Sequence, residues 1–145
     1  MHEAASRALF EDEVEKLRPE LFETRGWTLF SKLYPTIEVG FVASDGARLR
    51  LRLTCDDWND RPPSIEFFDW EGRPLAGIER DPAGVFNNSP HPSTGKPFVC
   101  MKGAREYHTH PSHTADAWET IRNDEKFNLG GILTQLWHAW KKIHK

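Results

Sequence analysis

Apolar residues recur every three or four positions at both ends of this chain and every second position between them. Near the start, Leu9, Phe10, Val14, Leu17 and Leu21 fall on one stripe, which predicts a helix over residues 4–22. Pro19 interrupts the stripe and predicts an end or a kink near Leu17, and Gly26 marks the break. A first strand is expected over 27–33. A second is expected over 36–43, with Ile37, Val39 and Phe41 on one face. Asp45-Gly46 is a two-residue hairpin signal. Leu49, Leu51 and Leu53 then alternate with Arg48, Arg50 and Arg52 over 47–54, the pattern of a half-buried strand with one polar face. The arginines read as a solvated sheet face, with a basic docking surface as the functional alternative. Residues 56–63 form a turn and 64–68 a fourth strand, which completes an antiparallel meander.

Residues 71–98 are rich in glycine, proline and asparagine and carry no sustained period. Irregular stretches of that length in a compact domain are usually functional or disordered. This one holds Leu75, Ile78, Val85, Phe86, Phe98 and Val99, so packing against a core is expected. After it, Pro111 stops any strand. Ser112 or Thr114 is placed to cap a short helix running to about residue 122. Asn128 is placed to cap a final helix in which Leu129, Ile132, Leu133, Leu136, Trp137 and Trp140 share a face. The order is helix, strand meander, long loop, then two helices. The fold class is α+β, a single domain over 1–145 with helices segregated from an antiparallel sheet.

A chain of 145 residues with six tryptophans and nine phenylalanines can bury a real core without staples. The net charge of −3 gives no reason to expect nucleic acid as a partner. Basic residues cluster only on the arginine strand and at Lys141, Lys142 and Lys145. Neither a membrane span nor a signal-peptide apolar run is visible. Two cysteines without a framework argue against a disulfide scaffold, so a cytoplasmic protein with reduced thiols is expected.

Candidate chemistry gathers in residues 91–110, which hold Cys100, Glu106, His91, His108 and His110. A cysteine delivered by an irregular, packed segment is a candidate nucleophile or metal ligand. As a nucleophile it needs its thiolate, and His108 or His110 is the residue type that assists. As a metal site, Glu106, His108 and His110 lie two apart, so on an extended segment they point the same way. Cys100 completes a set of zinc ligand types. A zinc-bound Cys100 is not a free nucleophile, so the two readings exclude each other there. The structural alternative makes Cys100 a small buried apolar residue, and Cys55 is read that way. His91 is expected to order its loop through backbone hydrogen bonds. His113 is either a third nearby histidine or a helix-start residue.

Three local patterns resemble the ubiquitin-conjugating enzymes. Trp58 to Phe67 (WNDRPPSIEF) resembles that family's double-proline stretch before its fourth strand. His91-Pro92-Ser93 resembles its His-Pro-Asn motif. Val99-Cys100-Met101 resembles its apolar-Cys-apolar signature, nine residues after the histidine. LGGILTQLW resembles the helix after its active site. The likeness spans roughly residues 26–140. Ser93 stands where asparagine is expected, the family's two further C-terminal helices are missing, and Glu106 to His110 departs from the eukaryotic pattern. These features are closer to divergent bacterial relatives found beside a ubiquitin-like protein, an activating enzyme and a JAB-type protease. The Cys, Glu, His, His series also resembles a bacterial domain family predicted to bind metal through those four residues.

The resemblance implies an enzyme that carries a ubiquitin-like protein as a thioester on Cys100 and passes it to an amine. The partners would be that protein and its activating enzyme. Glu106 would accept the amine's proton, His108 or His110 would tune the thiol or orient the amine, and Ser93 would offer a hydroxyl to the oxyanion. The same fold in inactive relatives implies a third possibility, a non-catalytic binding module.

Overall fold

The computed structural model describes residues 1–144; Lys145, counted above with the basic tail, lies outside them. Two helices open the chain. α1 (Glu3–Glu15) is capped by the His2 ring, which accepts from Ala4 N, and buries Ser6, Phe10 and Val14. α2 (Pro19–Arg25) starts on the proline that interrupts the apolar stripe. The expected single helix over 4–22 is therefore two. Proline at a first helical position loses only an N–H that has no intrahelical partner, so Pro19 starts a helix more easily than it continues one. Gly26 ends α2 at φ 68°, the left-handed cap that glycine adopts without penalty.

Four strands follow as a meander in the order β1 (Trp27–Ser31), β2 (Thr36–Val42), β3 (Arg48–Thr54) and β4 (Ser64–Phe68), all antiparallel. The period-two reading holds, because Leu49, Leu51 and Leu53 are buried together. The arginines on the other face are not simply solvated. Arg50 and Arg52 reach Glu38 at 3.1 and 3.6 Å. Arg48, Arg50 and Arg52 lie over the rings of Trp70, Phe30 and Phe68. Gly40 is required beneath this layer, since a Cβ there would collide with Trp70 and Phe30.

The long loop is fastened, not loose. Asp81, 5% exposed, accepts from Phe86 N at 2.8 Å and from Ala83 N at 3.2 Å. The Asn88 amide bonds both backbone groups of Ile78. A small ribbon pairs β5 (Phe86–Asn87) with β6 (Phe98–Val99) just before Cys100. A helical turn, α3 (Arg105–His108), follows. The helix expected over about 112–122 is replaced by two short 3-10 turns, Pro111–His113 and Trp118–Thr120. Between them Asp116 is drawn back to α3: its carbonyl meets the His108 ring and its carboxylate takes the Tyr107 hydroxyl.

α4 (Leu129–Lys141) closes the domain. Asn128 Oδ1 accepts from Gly131 N at 2.7 Å, the cap its sequence position predicts. Leu129, Ile132, Leu133, Leu136 and Trp140 are buried with the inner face of the sheet and with Phe10 and Val14 of α1. No described helix is long and apolar enough to cross a membrane.

The cap and the core make separable contributions. Asn128→Ala is expected to cost about 1 kcal/mol. Leu133→Ala, at a position with no exposure, is expected to cost about 3 kcal/mol. Both would be read as lowered urea midpoints with an unchanged slope; a cost for Asn128→Ala equal to that of Leu133→Ala would contradict this account of α4.

Candidate functional site

Cys100 sits at the outer end of β6, half-buried, with its N–H on Val85 O at 2.7 Å. Its thiol meets one titratable side chain at hydrogen-bonding distance: Sγ lies 3.6 Å from His113 Nε2. The His113 ring is stacked on Tyr107, with centroids 4.0 Å apart and planes 14° from parallel. Tyr107 donates its hydroxyl to Asp116 Oδ2 at 2.6 Å, and that same oxygen lies 3.9 Å from His113 Nδ1. Thiol, imidazole and carboxylate are thus aligned, with a phenol ring as the platform beneath the imidazole.

The electrostatics follow from this packing. Partial burial raises the Cys100 pKa, so the resting group is the thiol. The hydrogen bond from Tyr107 holds Asp116 below the usual carboxylate range. The same bond pushes the Tyr107 phenol up to about 12. Cys55 is fully buried, and burial raises its thiol far above the ordinary value. Cys55 is thus the small buried residue the sequence reading expects, and Cys100 is partly accessible.

His108 and His110 occupy other positions. His108 accepts from Gly103 N at 3.1 Å through Nε2, which leaves Nδ1–H to donate to the Asp116 carbonyl at 2.9 Å. Its ring is a clasp between the turn after Cys100 and Asp116, and burial lowers its pKa, favouring the neutral form that both bonds require. His110 accepts from Ser112 N and lies against Phe98 at 5.6 Å and His113 at 5.9 Å. His91 is buried as a loop-ordering residue: Nδ1 accepts from Ser93 N, and Nε2–H donates to Glu106 O at 2.8 Å. Ser93 lies exposed on that turn.

Glu106 points into the domain. Its carboxylate accepts from Ser64 Oγ at 2.7 Å and from Ile65 N at 2.8 Å, and burial raises its pKa against those bonds. The expectation that Glu106, His108 and His110 share one face rests on an extended segment. The segment is instead helical over Arg105–His108, where residues two apart point to nearly opposite sides. Cys100, Glu106, His108 and His110 are accordingly not gathered on one centre. Among the described residues no three His, Cys, Asp or Glu side chains are grouped to hold a metal ion. The residues that do surround Cys100 are His113, with Tyr107 and Asp116 behind it. Of these the sequence reading marks only His113, as a third histidine; its partnership with Cys100 depends on the reversal of the chain through residues 101–113.

Two outcomes test this geometry. In the folded protein iodoacetamide should add once, at Cys100, with Cys55 labelled only after unfolding; two adducts on native protein would contradict the burial of Cys55. Glu106 carries a second test. Its folded pKa is raised, so the native state holds the proton more tightly than the unfolded chain. Its contribution to stability therefore falls as pH rises from below about 4.5 toward neutrality. Glu106→Gln should gain thermal midpoint relative to the natural chain as pH is raised from 4 to 7. A difference independent of pH would contradict a buried, proton-favouring Glu106.

Residues 84–143 match the model of the Y4jH-like family, described as the Y4jH family. A segment of 41 residues is 42% identical to the uncharacterized protein y4jH of Sinorhizobium fredii (strain NBRC 101917 / NGR234), covering 28% of this chain and 20% of that protein. The chain thus spans about a fifth of the length of that relative. The family match begins in the long loop and runs through α4, so the portion of the chain similar to the Y4jH family is the portion that holds Cys100, Tyr107, His113 and Asp116.

Proposed function

We propose that this chain is a cysteine acyl carrier of the ubiquitin-conjugating type, working in the cytoplasm with a ubiquitin-like protein and its activating enzyme. The observation that carries the reading is the half-buried Cys100 thiol 3.6 Å from His113 Nε2. It is supported by the helix, meander, long loop, cysteine, helix order in which that thiol is presented, and by the local motifs around Trp58 to Phe67, His91 to Ser93 and Val99 to Met101.

The proton inventory closes within the site. The Cys100 sulfur attacks the carbonyl of the thioester held by the activating enzyme, and His113 takes the thiol proton. The new thioester forms as the activating enzyme's sulfur leaves and takes that proton from His113, which returns to its neutral form. In the second step an acceptor amine attacks the Cys100 thioester, His113 takes the proton the amine loses, and the same proton passes to the departing Cys100 sulfur as the amide forms. Asp116 stabilises the charged imidazolium from behind, and Tyr107 fixes the carboxylate and the ring plane. In this reading Glu106, His91 and His108 position the site and do not touch the reacting atoms.

Intact mass under non-reducing conditions tests the proposal, with an activating enzyme, ATP and a ubiquitin-like protein from the same gene cluster. The expected product is a one-to-one adduct released by dithiothreitol, absent in Cys100→Ala and replaced by a reductant-resistant ester or lost in Cys100→Ser. His113→Gln should slow adduct formation roughly 100-fold near neutral pH, with partial recovery at alkaline pH. An adduct that persists in Cys100→Ala, or none with the natural chain, would sink the reading.

A further inference from the structure

A cleft of about 700 Å³ opens between α1, α2 and the first turns of α4. It contains none of the residues around Cys100. Leu17, Leu21 and Trp27 supply apolar wall, and Gly130 and Gly131 bring the α4 backbone to its edge. A side chain at Gly130 would narrow it from that side, since a Cβ there would press on Leu17 at 3.2 Å, whereas Gly131 is needed for the close approach of the Glu125 and Lys126 carbonyls. Small-molecule sites have this size and this mainly apolar lining, with a few polar groups that fix orientation.

The charged groups in the lining are mostly cationic. Lys16, Arg25 and Lys126 all line the cleft. Lys16 is paired with Asp12 at 3.2 Å, whereas Arg25 and Lys126 meet no carboxylate among the described residues. Arg25 lies over the Trp27 and Trp137 rings at 5.1 and 5.0 Å and donates to Thr134 Oγ1 at 2.7 Å. The guanidinium carries five N–H donors, so most of its capacity is unspent. The one acid in the lining, Glu13, is committed elsewhere: its oxygens accept from Leu129 N and Trp58 Nε1, each at 2.8 Å. Trp27 is 5% exposed, and its indole N–H has no acceptor among the described residues. That N–H is closed off from the cleft as well, so the donors that face a ligand are those of Arg25 and Lys126.

We propose that this cleft binds a small molecule with an elongated apolar body and a single carboxylate, of the fatty-acid class. The body lies on Leu17, Leu21 and Trp27; the carboxylate is held by Arg25 and attracted by Lys126. Apolar walls exclude a sugar or nucleotide, which would leave most of its polar groups unpaired. The uncompensated cations exclude an amine.

Calorimetric titration of the whole chain with decanoate, decanol and decylamine, each within its monomeric solubility, tests this, with total tryptophan emission followed in parallel. Decanoate should bind one to one, with decanol and decylamine roughly tenfold weaker or more. Arg25→Gln should weaken decanoate by about tenfold. The exposed Lys126→Glu should weaken it by about threefold and leave decanol unchanged, and it carries no folding role that could confuse the result. Cys100→Ala should bind as the natural chain does, which separates this proposal from any failure of the acyl-carrier reading. Equal affinity for all three compounds, no saturation with decanoate, or an unaltered Lys126→Glu would overturn it.

Discussion

The site depends on where one buried carboxylate is tied. Glu106 accepts from Ser64 Oγ and Ile65 N on β4, while its own carbonyl accepts from His91. A carboxylate removed from water is costly unless its oxygens are satisfied, so any shift of α3 relative to β4 is penalised. That constraint passes directly along the chain. Tyr107 follows Glu106, and the Tyr107 ring is the platform on which His113 is stacked. Cys100 is held independently, by the hydrogen bond of its N–H to Val85 O at the end of the β5–β6 ribbon. The thiol and the imidazole are thus held by separate fastenings, the one at the β5–β6 ribbon and the other through α3 to β4.

The thiol's raised pKa bears on what such a site is good for. A thiol that holds its proton is a poor spontaneous nucleophile, and it needs a neighbouring base at the moment of attack. The same property makes its thiolate a poorer leaving group, because sulfur departs faster from a low-pKa thiol. An acyl group on Cys100 would therefore resist hydrolysis better than one on an acidic thiol, until His113 delivers a proton.

Most of the scaffold is legible in the sequence because its elements are periodic. Leu49, Leu51 and Leu53 announce β3, Asp45-Gly46 announces its hairpin, and the Leu129 to Trp140 stripe with Asn128 before it announces α4. The α1–α2 break was visible as Pro19, but not its consequence, since a proline can end one helix or begin the next. The site was less legible. Glu106, His108 and His110 alternate as a strand would, yet Arg105–His108 closes a helical turn in which Glu106 and Tyr107 have hydrogen-bonding partners, on β4 and at Asp116. Those partners lie 42 and 9 residues away, and local spacing carries no signal for them. His113 meets Cys100 only because the chain doubles back through Gly103, Thr109 and Pro111, and no period marks that reversal.

The Cys100 site and the cleft are joined by a continuous row of contacts. Glu13, in the cleft wall, takes the Trp58 indole N–H; Trp58 and Trp118 lie 5.9 Å apart, Trp118 and His108 5.8 Å, and His108 donates to Asp116 O. Such a row is often taken as a route for coupling. Coupling requires an element with two arrangements that both sites bias, and this row is pinned at each step: Trp118 donates to Asn59 O, Trp58 to Glu13, and His108 bonds at both ring nitrogens. Occupation of the cleft should accordingly add stability to the α1–α4 side of the domain by mass action without changing the protonation of Cys100.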